Sequence, residues 1–192
     1  MRILGFDISS TTIGVSLIET NEKYSKPKLK LLTHIKPPKN GSLFERLHET
    51  KLEILKILEE HSPDVVAIEE IVQFMAGGST AKTIITLTAF NRMVGLVAYE
   101  HFNKEPFYYS VMAIRHKLKI GKELPSKEQM LDVVQKHIKV QNPILYKESK
   151  KGIKKIADET FDQVDGLAVA LCCYYDLKEN WGSWWLGQKD GY

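Results

Sequence analysis

Acidic residues stand at the edges of apolar sequence at three separate places in this chain. Asp7 ends the strand-like run Ile3-Leu4-Gly5-Phe6, Glu69 and Glu70 follow the all-apolar Val65-Val66-Ala67-Ile68, and Asp162 and Asp165 sit in Asp162-Gln163-Val164-Asp165-Gly166-Leu167-Ala168. A carboxylate on or beside a buried element costs free energy unless a cation meets it, and several converging carboxylates coexist only around a proton or a metal ion. A fold that gathers these acids supplies a set of hard oxygen donors, which suits Mg²⁺ or Mn²⁺.

The rest of the sequence indicates how they would be gathered. Residues 2–8 cluster and alternate apolar side chains as a strand does, Ile13 to Glu19 repeat the signal after a Ser/Thr-rich turn, and Leu29 to Ile35 give a third strand after Pro27. Their short links predict an antiparallel meander. Ser42, with Glu45 three residues on, predicts a capped amphipathic helix through Glu60. Pro63 ends that helix, and Val65 to Ile68 reads as a strand covered on both faces. Alternation sends Glu70 to the face opposite Glu69, which makes Glu69 the better ligand.

Beyond Gly77-Gly78, where Ser79 and Thr80 are natural N-caps, a long helix is predicted from Ala81 to Phe102. A short strand over Pro106 to Ser110 and shorter helices over Met112 to Leu118 and Ser126 to His137 follow. Residues 140–157, with Pro143, Gly152 and five lysines, read as a mobile loop. The last helix is predicted from about Phe161 to Leu177, and the i, i+3 spacing of Asp162 and Asp165 sets both carboxylates on one side of a turn.

With 192 residues the chain fits a single domain, and 43% hydrophobic with 27% charged residues excludes disorder over most of its length. Charges interrupt every apolar stretch before the ~20 residues a membrane span needs. Met1 runs directly into the first strand without a charged leader and apolar core, so a cytoplasmic location is expected. Cys172 and Cys173 are adjacent in a helical pattern, where side chains diverge, and read as reduced core thiols. Net charge is +3, yet residues 115–155 hold twelve Lys or Arg against four Asp or Glu. Such asymmetry suits a protein that grips phosphates in one place and cations in another, although a solvated lysine-rich surface has the same composition.

Three strands, a helix, a strand, a helix, a strand and further helices is the element order of the ribonuclease H-like fold, an α/β architecture with a mixed five-stranded sheet flanked by helices. Motif by motif, the chain resembles the RuvC family of Holliday-junction resolvases over residues 1–178. The family's Gly-x-Asp, small-residue turn and later Gly correspond to Gly5-Phe6-Asp7 through Gly14. Its Ile-Glu strand end corresponds to Ile68-Glu69, the aromatic after it to Phe74, and its Asp-x-x-Asp-(Ala/Gly)-Leu-Ala helix to Asp162 through Ala168. Val111 to Gly121 is similar to the segment that brings a lysine to the site, with Arg115 or Lys117 in that place. Ile8-Ser9 replaces the family's usual Pro-Gly, and neither the lysine-rich insert nor the aromatic tail, residues 179–192, has a family counterpart.

The resemblance implies a metal-dependent endonuclease acting on branched DNA, the four-way junction above all. Asp7, Glu69, Asp162 and Asp165 would hold two Mg²⁺ or Mn²⁺ ions, Lys117 would be the catalytic cation, and Phe74, Arg115, Lys119 and Lys122 would contact DNA. A junction cut on two symmetry-related strands implies a homodimer. Competing readings are a ribonuclease H-like nuclease acting on flaps or RNA–DNA hybrids, and a non-catalytic DNA-binding module. A sugar-kinase or actin-type ATPase needs two related domains, for which the chain is too short.

Overall fold

The computed structural model describes residues 1–21, 25–71, 80–140, 146–148 and 154–180. Strands β1 (Arg2–Ile8), β2 (Ile13–Glu19) and β3 (Lys28–Ile35) form the expected meander, and helix α1 (Leu43–His61) leads into β4 (Val65–Glu69). Helix α2 (Ala81–Phe102), strand β5 (Phe107–Tyr109), helices α3 (Val111–Leu118) and α4 (Met130–His137), a pair of strands β6 (Tyr146–Glu148) and β7 (Lys154–Ile156), and helix α5 (Asp158–Glu179) follow among the described residues. The five-stranded sheet runs β3-β2-β1-β4-β5, with β1, β4 and β5 parallel and the other pairs antiparallel.

Local chemistry accounts for the boundaries. At the start of α1 the Ser42 hydroxyl accepts the Glu45 amide and the Glu45 carboxylate accepts the Ser42 amide at 2.6 Å, a reciprocal capping box. Thr80 caps α2 by accepting the Thr83 amide at 3.2 Å. Most predicted starts hold to within a residue, but two helices begin further from where the sequence predicts. α4 starts at Met130, because Ser126 to Gln129 form a turn in which the Gln129 side chain accepts the Ser126 amide at 2.8 Å. α5 starts at Asp158, so Asp162 and Asp165 lie in its second and third turns rather than at its tip. The described part of the lysine-rich stretch forms the β6–β7 pair, with Tyr146 opposite Ile156, where a loop was expected. The tail beyond residue 180 lies outside the described residues.

Two cores sandwich the sheet. Leu4, Phe6, Val66 and Ile68 pack on one face against Ile54 and Leu58 of α1 and Phe90 and Val94 of α2. Ile3, Val65 and Ala67 pack on the other against α5, which contributes Leu167, Leu171 and Tyr174, and against α3 and α4. From Gln163 to Tyr174 all but one residue of α5 is buried, as befits a central helix, and Cys172 and Cys173 are free thiols within it.

At its glycine contacts α5 lies so close to the sheet that no side chain fits between them. A β-carbon at Gly5 would collide with the Gly166 carbonyl and stand 2.7 Å from the Ala170 amide nitrogen, and one at Gly14 would overlap the Asp162 carbonyl. Glycine at these two strand positions therefore fixes how near the Asp162-to-Asp165 turn comes to β1. Gly5→Ala is expected to destabilise the fold by about 1–3 kcal/mol or more through overpacking, measured as a lower urea midpoint at unchanged slope. A neutral substitution would contradict this packing.

Candidate active site

The sheet register places the first two acids. β1 and β4 pair in parallel with Phe6 opposite Ile68, so the next residues, Asp7 and Glu69, stand side by side near the ends of adjacent strands. Both share the strand face of Ile3, Val65 and Ala67, the face that α5 covers. Asp7, Glu69 and Asp165 line one cleft of about 150 Å³ with Ile114, Arg115, Lys127 and Met130. Asp162, one turn before Asp165, stands at the margin of this cleft, half-buried and hydrogen-bonded by the Thr12 hydroxyl.

Burial and mutual repulsion dominate the electrostatics. Burial, then the charges of Glu69, Asp165 and Asp162, holds the Asp7 carboxyl well above the usual carboxylate range. Burial and Asp165 push Glu69 up to about 7, and burial pushes Asp165 up to about 6 against the opposing charge of Lys127. Asp162 is raised by burial too, with Lys127 and the Thr12 hydrogen bond opposing. The Lys127 ammonium lies 3.6 Å from the Asp165 carboxylate. Burial works against its charge, but Asp165, Asp7 and Asp162 together raise its pKa above the ordinary lysine value.

Glu70 and Glu69 part company as strand alternation requires: Glu70 turns to the α2 side and accepts from the Arg92 guanidinium at 2.9 Å. Lys117 is not at the cleft. Its ammonium bonds the Glu179 carboxylate at 2.7 Å and lies 4.0 Å from that of Asp176. Asp176 is eleven residues, about 16 Å along the helix, from Asp165. Arg115 and Lys117 are two residues apart on α3 and so point about 160° away from each other, and it is Arg115 that lines the cleft. Lys119, partly buried, and Lys122, exposed, follow α3 and do not line the cleft. Phe74 lies outside the described residues.

Lys127, which the sequence did not single out, is the cation the carboxylates share. The signal that marks it is the turn made by Pro125 and the Ser126–Gln129 pair, which presents one lysine immediately before the apolar face of α4. Among the described residues no three His, Cys, Asp or Glu side chains converge on a single coordination point. The carboxylates instead surround the cleft at distances where they raise one another's pKa, with Lys127 coupled to all four. Their donors are all oxygen, and their excess negative charge is of the kind a hard divalent cation relieves.

The fold and the acid-lined sheet edge define a nuclease of the ribonuclease H-like class. A family model described as crossover junction endodeoxyribonuclease RuvC matches residues 3–173. The chain belongs to this RuvC family. The RuvC of Alkaliphilus metalliredigens is 29% identical over 174 residues, covering 90% of this chain and 92% of that protein. That of Acidobacterium capsulatum is 34% identical over 87 residues, 43% of this chain and about half, 51%, of that protein. Among solved structures, Thermus thermophilus RuvC superposes with a TM-score of 0.68 at 20% identity, covering 92% of this chain and 95% of that one. The fowlpox virus Holliday junction resolvase does so with a TM-score of 0.53 at 15% identity, covering 92% and 100%. No helix among the described residues is long and apolar enough to cross a membrane.

The raised carboxyl pKa values carry a stability signature. A group whose folded-state pKa exceeds its unfolded value binds more protons when folded, so its contribution is lost as pH rises from the unfolded pKa through the folded one. For Glu69 that window runs from about 4.5 to about 7. Without divalent cations, Glu69→Gln is expected to stabilise the fold near pH 8 by about 1–3 kcal/mol, with the gain vanishing below pH 5. Thermal unfolding in chelator at both pH values checks this, and equal stabilities throughout would contradict it.

Proposed function

We propose that this chain cuts the strands of four-way DNA junctions by metal-dependent phosphodiester hydrolysis at the edge formed by Asp7, Glu69, Asp162 and Asp165. The observation that carries the proposal is the burial of three like-charged carboxyl groups in one cleft, each raised in pKa, in a chain of the RuvC family. A fold gains nothing in stability from that arrangement, whereas a catalyst of phosphate chemistry does.

Two Mg²⁺ or Mn²⁺ ions are the cofactors this donor set suits, with Asp7 central and Glu69, Asp165 and Asp162 around it. When bound, such ions stabilise charge on the attacking and leaving oxygens and acidify the attacking water. The remaining work falls to the chain itself. Asp7 and Glu69 are fixed by strand pairing and Asp165 by a helix seated against glycine, so the donors are held before substrate arrives. Lys127 and Arg115 offer the cleft two cations, one to neutralise the scissile phosphate and one to hold the neighbouring backbone. Ile114 and Met130 give it an apolar wall that limits competing water.

Lys119 and Lys122, which follow α3, and the lysines of residues 140–157 are the candidates for sequence-independent contacts to the junction arms. Because the two cleaved strands are related by two-fold symmetry, the working unit is a dimer. The exposed Ile85, Leu96 and Tyr99 of α2 offer an apolar surface for it.

Single-turnover cleavage of a synthetic four-way junction in Mg²⁺, beside linear duplex, flap and RNA–DNA hybrid, tests the reading. Paired nicks in the junction, abolished by Asp7→Asn while binding persists, are the expected outcome; preference for the hybrid or flap would overturn the junction assignment. In the same assay Lys127→Ala should lose about 10²-fold in rate. Lys117→Ala should stay within about threefold of the wild type, because Lys117 faces Glu179 at the far end of α5. The reverse ranking would return the catalytic cation to α3.

A further inference from the structure

One turn of α2 takes hold of both chain segments that carry the strand-borne acids. Phe90, fully buried, lies under the Arg46 guanidinium at 5.3 Å, and Arg46 donates to the Ser10 carbonyl at 2.6 Å in the turn just after Asp7. Arg92 pairs with the Glu70 carboxylate. Between them Asn91, also fully buried, donates its side-chain amide to the main-chain carbonyl of Glu69 at 2.9 Å. The Asn91 carbonyl oxygen finds no donor among the described residues.

That half-satisfied amide is a poor choice for stability alone. A buried polar group with an unmet acceptor costs free energy that an apolar side chain of the same shape avoids. Glu69 is the last residue of β4, opposite Tyr109 of β5, and the peptide that follows it is held at both ends, its Glu70 amide donating to the Tyr109 carbonyl at 2.9 Å and its Glu69 carbonyl accepting from Asn91. Asn91 thus adds a side-chain bond at the carbonyl end of a peptide whose amide end the sheet holds, and the carboxylate direction follows the peptide so fixed. We propose that Asn91 is a positioning residue: its grip on the Glu69 carbonyl aims the Glu69 carboxylate into the cleft from the opposite side of the sheet.

The inference rests on the metal-site reading above, and it predicts a defect in cation binding rather than in DNA binding. Supporting groups around metal ligands commonly account for 10–100-fold in metal affinity. Asn91→Leu keeps the side-chain shape and removes the donor; Asn91→Ala is the second variant should the first fold poorly. Mn²⁺ binding measured by calorimetry, without DNA, and junction binding in Ca²⁺ should be compared for wild type, both variants and Asp7→Asn. The expected result is Mn²⁺ affinity about 10-fold weaker in either Asn91 variant, unchanged junction binding, and cleavage that recovers at high Mg²⁺.

Wild-type Mn²⁺ affinity and Mg²⁺ profile in the Asn91 variants, with both lost in Asp7→Asn, would overturn the role of Asn91 and leave the metal site standing. Mn²⁺ binding indifferent to Asp7→Asn would remove the metal site, and the inference with it. A lower melting temperature with no change in Mn²⁺ affinity would make Asn91 purely structural.

Discussion

The close seating of α5 on β1 and β2 is the contact on which the rest of the structure depends. Helices normally pack on sheets through side chains, but here Gly5, Gly14 and Gly166 let backbone approach backbone. The approach completes the buried core and, at its open end, forces Asp165 toward Asp7 and Glu69. A stable core and a crowded cluster of negative charge are thus two consequences of one contact. The crowding is costly at neutral pH, and only a proton or a cation relieves it.

The surrounding elements divide the labour of managing that cost. Strand pairing sets Asp7 beside Glu69, the turn before α4 brings Lys127 within 3.6 Å of Asp165, and the Thr12 hydroxyl holds Asp162. Lys127 cannot neutralise four carboxylates, and burial, with the remaining repulsion, appears as raised pKa values at Asp7, Glu69 and Asp165. Perturbed carboxyl groups of this kind cluster at functional sites.

The sheet and its acids were legible in the sequence because each rests on a short-range rule. Alternation separated Glu69 from Glu70, and i, i+3 spacing joined Asp162 to Asp165. The cation beside the carboxylates was not legible by those rules. Lys117 was preferred on resemblance, yet two residues on a helix reverse direction, and its partners Asp176 and Glu179 come from a distant part of the chain. Lys127 lies in an irregular turn within a lysine-rich stretch, where no periodicity distinguishes it from its neighbours. The start of α4 was misplaced for a related reason, since Ser126 bonds the Gln129 side chain in a turn rather than capping a helix. Asn91 was invisible for a third: one polar residue on an otherwise apolar helix face carries no signal until its partner across the sheet is known.

The measurement closest to the central claim is a pH titration of the side-chain carboxyl ¹³C resonances of Asp7, Glu69 and Asp165, with and without Mg²⁺. Without the ion, Glu69 should titrate near 7 and Asp165 near 6, with Asp7 elevated as well. With Mg²⁺ all three should remain ionised to well below those values. Ordinary carboxylate titrations near pH 4 that Mg²⁺ leaves unmoved would mean that the acids are neither crowded nor a cation site, and would contradict the account.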